Sequence, residues 1–322
     1  MPDARSRYRG CMIGLAIGDA LGAPVEHLRI DEIRTRYGPG GISDLRGWDG
    51  FPAGSFTDDT QMALATAEGC IAALRSGAQT GSMDPVGSVY QAYLGWLKTQ
   101  QTPHERRGPG NTCLSALRSG VMGTIDAPIN NSKGCGGVMR TAPAGLAFPP
   151  REAFKMGAEF AAITHGHPSG YLSAGFLAEV VAHAAAEVGL ADAVDAAIHQ
   201  LVRYEHHKET LFAVGSALDE AESDEPPAQV IPRLGEGWVG EEALAISLYC
   251  ALRHQDSYTK AVLAAVNHSG DSDSTGAICG ALMGTLLGEE GIPAKWRRLV
   301  EKADYIQRLS DELFALTRGQ AR

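Results

Sequence analysis

Two short acidic clusters lie far apart in the chain and share one design. The stretch GSFTDDTQMAL sets Thr57, Asp58 and Asp59 directly before an amphipathic run. The stretch NHSGDSDSTGAICGALMG sets Asp271, Asp273 and Ser274 before a run of small apolar residues. A hydroxyl and a carboxylate at a helix N-terminus satisfy free N–H groups and complement the helix dipole, and capping alone would account for either cluster by itself. Both together supply the several oxygen donors that a hard divalent cation takes. Four carboxylates gathered in one place repel unless cations neutralise them. A pair of cations also polarises substrate oxygens and activates water. The expectation is a metal site built from Thr57, Asp58, Asp59, Asp271, Asp273 and Ser274.

Two simpler readings of DSDSTG fail. As an EF-hand loop it would need a bidentate Glu at the twelfth position, where Leu282 stands. As the aspartyl nucleophile of a haloacid-dehalogenase-like phosphatase it would need a strand before it and a large α/β domain after it. Fewer than about sixty residues follow, and their pattern is helical.

Three further stretches carry chemistry. In NNSKGCGGVMR, Ser132, Lys133, Gly134, Cys135, Gly136 and Gly137 could turn backbone N–H groups around an anion. The order of Gly and Lys is wrong for a P-loop, and a plain glycine-rich surface loop is the competing reading. In GLAIGDALGAPVEHL, Asp19 sits among small apolar residues and requires a buried partner, while Glu26 follows a break at GAP. In ITHGHPSGY, His165 and His167 precede a helical run. An oxygen-rich site favours hard cations over zinc, so these histidines are read as ligand contacts and not as metal ligands.

The elements that must position these residues are helical nearly throughout. YRGCMIGLAIGDALGA, DDTQMALATAEGCIAALRSG, GYLSAGFLAEVVAHAAAEVG, GEEALAISLYCALRH and STGAICGALMGTLLG all repeat apolar residues at three- and four-residue steps. Period-two runs are scarce. The stretches RYGPGGISDLRGWDGFPAGSFTDD, KTQQTPHERRGPGNT, DAPINNSKGCGGVMR and ESDEPPAQVIPRLGEGW read as loops. No linker divides the 322 residues, so one all-α domain over 1–322 is expected, with a loop-lined metal cleft. A net charge of −10 argues against a nucleic-acid groove. The six cysteines are spread without a C-x-x-C pair, as in reduced cytoplasmic proteins where they fill cores. No signal peptide or membrane span is expected, and the chain reads as a monomer.

Taken in order, GLAIGDALGAPVE, FTDDTQMAL, RGPGNT, GCGGVMR, THGHP, GWVGEEALAISLYC and NHSGDSDSTGAICGALMG resemble the ADP-ribosylglycohydrolase family, over residues 8–300 or so. The resemblance implies a compact orthogonal helical fold. It also implies two Mg2+ or Mn2+ ions on the six residues named above, Ser274 standing where the family often has Thr. Glu26 would match the acidic residue after the first helix, and Glu26, Asp58 or Asp273 would move protons in catalysis. Ser132 to Gly137 would hold a diphosphate, His165 would contact ADP-ribose, and Gly108 and Gly110 would lie near the ribose. The implied activity is metal-dependent removal of ADP-ribose from an acceptor, with arginine on protein first. The alternatives are ADP-ribosyl-serine, O-acetyl-ADP-ribose, an ADP-ribosylated small molecule, or a binder without catalysis. One departure stands out: some arginine-specific members carry Asp where this chain has Gly108.

Overall fold

The computed structural model describes residues 2–320. Its helices, in chain order, are α1 (Ala4–Gly22), α2 (Ile30–Tyr37), α3 (Asp58–Thr80), α4 (Pro85–Thr99), α5 (Asn111–Arg118), α6 (Ala142–Ala147), α7 (Pro150–Ala162) and α8 (Pro168–Ala185). They continue as α9 (Leu190–Leu201), α10 (Lys208–Ala221), α11 (Pro227–Leu234), α12 (Gly240–Arg253), α13 (Tyr258–Val266), α14 (Ser272–Leu287), α15 (Ala294–Leu299) and α16 (Ala303–Gln320). Among the described residues extended pairing is limited to two isolated bridges, Trp48 with Phe51 and Gly134 with Val239. The all-α expectation holds.

Glycine spacing fixes the centre of the molecule. Gly10, Gly14, Gly18 and Gly22 recur at four-residue steps along one face of α1 and meet Gly284, Gly280, Gly276 and Ser272 of α14 in antiparallel order. A Cβ on Gly14 would lie 2.3 Å from the Gly280 carbonyl oxygen, and one on Gly280 would lie 2.1 Å from that of Gly14. Only glycine permits so close an approach of two backbones. The pairing runs the length of both helices, so it carries the two ends that matter, Glu26 just beyond α1 and Asp271 just before α14, to the same side of the fold.

Around this pair the apolar faces of α3, α8, α12 and α13 close one continuous core. Burying a large apolar side chain contributes about 1.5–3 kcal/mol, and Phe56, Phe154, Phe160 and Phe176 are among those with no exposed surface. Five of the six cysteines are buried in this interior, and Cys135 is the partly exposed one. No described helix is long and apolar enough to cross a membrane.

One stretch departs from the sequence reading. Within ESDEPPAQVIPRLGEGW the segment Pro227–Leu234 is helical. Its prolines misdirect the eye, yet Pro227 at the first position lacks only an N–H that would have no partner there anyway. Val230, Ile231 and Leu234 bury one face of it, which outweighs the break that Pro232 introduces.

Candidate active site

The first acidic cluster is held by the α1–α14 pair. Asp19, fully buried on α1, accepts hydrogen bonds from the backbone N–H of Thr57 at 2.9 Å and of Thr60 at 2.9 Å, and from the Thr60 hydroxyl at 2.5 Å. Its buried partner is therefore the N-terminus of α3. Thr57 caps that helix by accepting from the Asp59 N–H at 3.3 Å, and the Asp58 N–H donates to the Arg107 carbonyl at 3.0 Å. The Asp58 and Asp59 side chains are thus left for other duty. The Asp58 carboxylate accepts from the Gly110 N–H at 3.4 Å, and Asp59 Oδ2 is buried with no partner.

The second cluster forms at the N-terminus of α14. Asp271 caps the helix through the Ser274 N–H at 3.3 Å and also accepts from the Cys135 thiol at 2.8 Å. Glu26, Asp271 and Asp273 bring carboxylate oxygens to within 4.8 Å of one another, a grouping that could hold a metal ion. Burial first, then the charges of Asp273, Asp271 and Asp58, push the Glu26 carboxyl up to about 11. Asp58, Asp59 and Asp271 are likewise raised well above the carboxylate range, burial leading and the charge of Asp273 next.

The donor set fits hard cations. Among the described residues no Lys or Arg pairs with Asp58, Asp59, Asp271 or Asp273; backbone N–H groups and a thiol reach them, and Asp273 shares side-chain hydrogen bonds with Glu26 and Asp271. Buried carboxylates in this state either hold protons or hold cations. The unpartnered Asp59 Oδ2 is an oxygen that a cation could take as a ligand. Thr57 and Ser274 stand beside these carboxylates as hydroxyl donors, although in this structure the Ser274 hydroxyl points to the sulfurs of Cys135 and Met139.

The glycine-bearing loops border this centre. Gly108 adopts φ +72, and the place of its absent Cβ lies 3.9 Å from Asp58 Oδ1. The Ser132–Gly137 segment is pinned by the Lys133 carbonyl accepting from the Gly240 N–H at 2.8 Å and by the Cys135 N–H donating to the Trp238 carbonyl at 3.1 Å. The Lys133 ammonium is engaged by Glu241 and Glu209. The loop's offer to an anion is therefore chiefly its backbone.

His165 lies against that loop. A Cβ on Gly136 would fall 3.0 Å from its Cε1 and 3.2 Å from its Nε2. Burial, with the charge of Arg140 second, lowers the imidazole to about 3, so it is neutral. Arg140 donates to Thr164 Oγ1 at 2.6 Å, and Thr164 Oγ1 lies 2.8 Å from His165 Nδ1. The Thr164 hydroxyl thus links Arg140 to His165 Nδ1, and Nε2 lies on the glycine-loop side. A cavity of about 890 Å³ adjoins the same loop between Asn131, His167 and the 202–209 segment.

Several supporting residues carry no sequence signal of their own. Arg107 bonds Glu301 and the Phe56 carbonyl and lies over the Phe51 ring at 4.5 Å, fastening the Gly108 loop to the approach to α3. Arg140 is fully buried inside GVMR, where the sequence gives no hint that the charge points inward. His27 and Trp238 stack across the site's edge with ring centroids 5.0 Å apart.

A model of the ADP-ribosylglycohydrolase family matches residues 1–322. The chain belongs to this family. An ADP-ribosyl-dinitrogen reductase glycohydrolase of Rhodospirillum rubrum is 30% identical, the match covering 98% of each chain. An ADP-ribosylarginine hydrolase, Tri1, of Pseudomonas putida is 26% identical over 97% of this chain and 78% of its own length. A solved structure described as an ADP-ribosylglycohydrolase-related protein complex superposes with a TM-score of 0.76 at 27% identity, covering 98% of this chain and all of the other. As an ADP-ribosylglycohydrolase this protein is an enzyme that hydrolyses ADP-ribose from an acceptor. The reading as a binder without catalysis falls with that.

Proposed function

We propose that this glycohydrolase releases ADP-ribose from ADP-ribosyl-arginine on protein and works with two divalent cations, Mg2+ or Mn2+. The observation that carries the reading is the convergence of Glu26, Asp271 and Asp273 within 4.8 Å, with Asp58 and Asp59 close enough for their charges to matter and Asp59 Oδ2 left without a partner. Thr57, Asp58, Asp59, Asp271, Asp273 and Ser274 would hold the ions. Bound there, they would supply Lewis acidity toward the distal ribose hydroxyls and lower the pKa of a water.

The chain's own groups do the rest. The backbone N–H groups of the Ser132–Gly137 loop not already spent on Asn130, Ser132 and Trp238, together with His165 Nε2, would face the diphosphate. The Gly108–Gly110 turn borders the ribose, and the Gly110 N–H fixes the Asp58 carboxylate. Water adds its oxygen to the ribose C1″ as the bond to the acceptor nitrogen breaks, and that nitrogen takes a proton. Glu26, Asp58 and Asp273 would move those protons, and burial favours the protonated form of Glu26. Glycosidases place two carboxyl groups around a centre of this kind.

Gly108 favours a second reading. It offers no carboxylate to a guanidinium leaving group at the position from which some arginine-specific relatives present one. ADP-ribosyl-serine, O-acetyl-ADP-ribose and ADP-ribosylated small molecules are then the alternative substrates. Product analysis against arginine-, serine- and acetyl-linked ADP-ribose, with Asp58→Ala alongside, separates the two. Turnover of the arginine conjugate alone supports the first reading. Release from the serine or acetyl conjugate alone supports the second. Parental turnover by a folded Asp58→Ala protein would overturn the carboxylate centre in both.

A further inference from the structure

We propose that His27 is the positioning residue for Glu26 and that its stack on Trp238 ties Glu26 to the loops that carry the rest of the site. The inference rests on the reading that Glu26 works at a cation centre.

Four observations converge on His27. Its backbone has φ +65, a left-handed conformation unusual for a residue other than glycine and open to His at modest strain. Successive side chains normally point apart; here the turn brings them together, and His27 Nε2 lies 3.0 Å from Glu26 Oε1. The imidazole plane lies 11° from that of the Trp238 indole with centroids 5.0 Å apart, a stacked pair. Trp238 is itself fixed, its Nε1 donating to Glu236 at 3.1 Å and its carbonyl accepting from Cys135.

The Trp238 segment is the hub of the site. The Glu236 carbonyl accepts from the Asp271 N–H at 2.8 Å, and Val239 bridges Gly134. A single imidazole therefore joins the Glu26 carboxylate to the strap that holds both Asp271 and the glycine loop. Glu26 lies on an irregular segment beyond the end of α1, so no regular helix fixes its side chain. The His27 side chain is 69% exposed, so core packing does not account for the geometry.

The test compares His27→Phe, which keeps a stacking ring and lacks Nε2, with the parent by Mn2+ calorimetry and by steady-state kinetics. Losing a partner that orients a metal-site group typically weakens cation affinity about tenfold or more. The expected result is that loss, with kcat reduced and KM for substrate little changed. His27→Gln, which restores a donor to Glu26, recovers most of the affinity. In a Glu26→Gln background His27→Phe adds nothing. Parental Mn2+ affinity and kcat in His27→Phe, or an equal further loss in the Glu26→Gln background, overturns the proposal. A parent protein that takes up no Mn2+ overturns the cation reading itself, a failure visible before any variant is made.

Discussion

Asp19 on α1 and Thr60 on α3 are joined twice, the Asp19 carboxylate accepting from the Thr60 N–H at 2.9 Å and from its hydroxyl at 2.5 Å. This buried acid follows Gly18 of the α1–α14 seam, turns toward α3, and anchors the helix end from which Asp58 and Asp59 project. It is thus a mechanical link between the core and the chemistry. Asp19→Ala leaves the N–H groups of Thr57 and Thr60 buried and unpaired, at about 1–3 kcal/mol for each such group. The expected outcome is a Tm several degrees lower and weaker cation uptake, read by calorimetry on the same preparation. Unchanged stability would remove Asp19 from this role.

The glycine seam makes a second prediction. Gly280→Ala puts a Cβ 2.1 Å from the Gly14 carbonyl oxygen, and backbone atoms cannot yield as a flexible side chain would. Overpacking of this kind destabilises by about 1–3 kcal/mol or more. Urea unfolding should show a lower midpoint with the slope preserved. Gly95→Ala, where the added Cβ meets nothing, is the contrast and should be no less stable than the parent.

The raised carboxyl groups predict a dependence on pH. A group whose folded pKa lies above its unfolded value contributes stability that is fully present below the unfolded pKa and is lost as pH rises toward the folded one. Glu26, raised to about 11, and Asp58, Asp59 and Asp271, raised in the same direction, all have this sign. Between pH 7 and 8 unfolded carboxylates are ionised, while His165 and His268, lowered by burial, are neutral when folded and shed only a residual proton fraction when unfolded, a smaller contribution of opposite sign. Cation-free protein should therefore lose stability across that interval. Saturating Mg2+ or Mn2+ should raise Tm at each pH and reduce or reverse the trend. Thermal scans with and without chelator measure it, and a flat cation-free profile would contradict the repulsive cluster.

Thr164 relays Arg140 to His165, so Thr164→Val should both destabilise the core and remove the hydroxyl that holds the imidazole at Nδ1. Removing the hydroxyl leaves an Arg140 N–H without its acceptor, worth roughly 1–3 kcal/mol. ADP-ribose affinity, measured by titration calorimetry, should fall while cation affinity stays at the parental value. Equal loss of both would mean that the change unfolds the centre as a whole.

Much of this was legible in the sequence because chemistry and packing repeat there. Carboxylate–hydroxyl clusters at 57–59 and 271–274 appear as a matched pair, and the small residues of GLAIGDALGA and STGAICGALMG permit the close contact that α1 makes with α14, while the four-residue glycine register shows only in the structure. Asp19 among small residues signals a buried partner, although sequence cannot say that the partner is the N-terminus of α3. Other features are silent for a physical reason. The His27–Trp238 stack joins residues more than two hundred apart, and neither has a motif of its own. Lys133 looks like an anion ligand within a glycine loop until Glu209 and Glu241 arrive from distant segments to engage it. The helix Pro227–Leu234 hides behind its prolines because its burial, which decides the matter, is tertiary.

The most direct measurement is release of free ADP-ribose from an ADP-ribosyl-arginine protein in the presence of Mg2+, of Mn2+ and of EDTA. The account predicts release with either cation, abolished by EDTA and restored when the cation is added back. Undiminished release in EDTA, from protein shown to be free of metal, would contradict it.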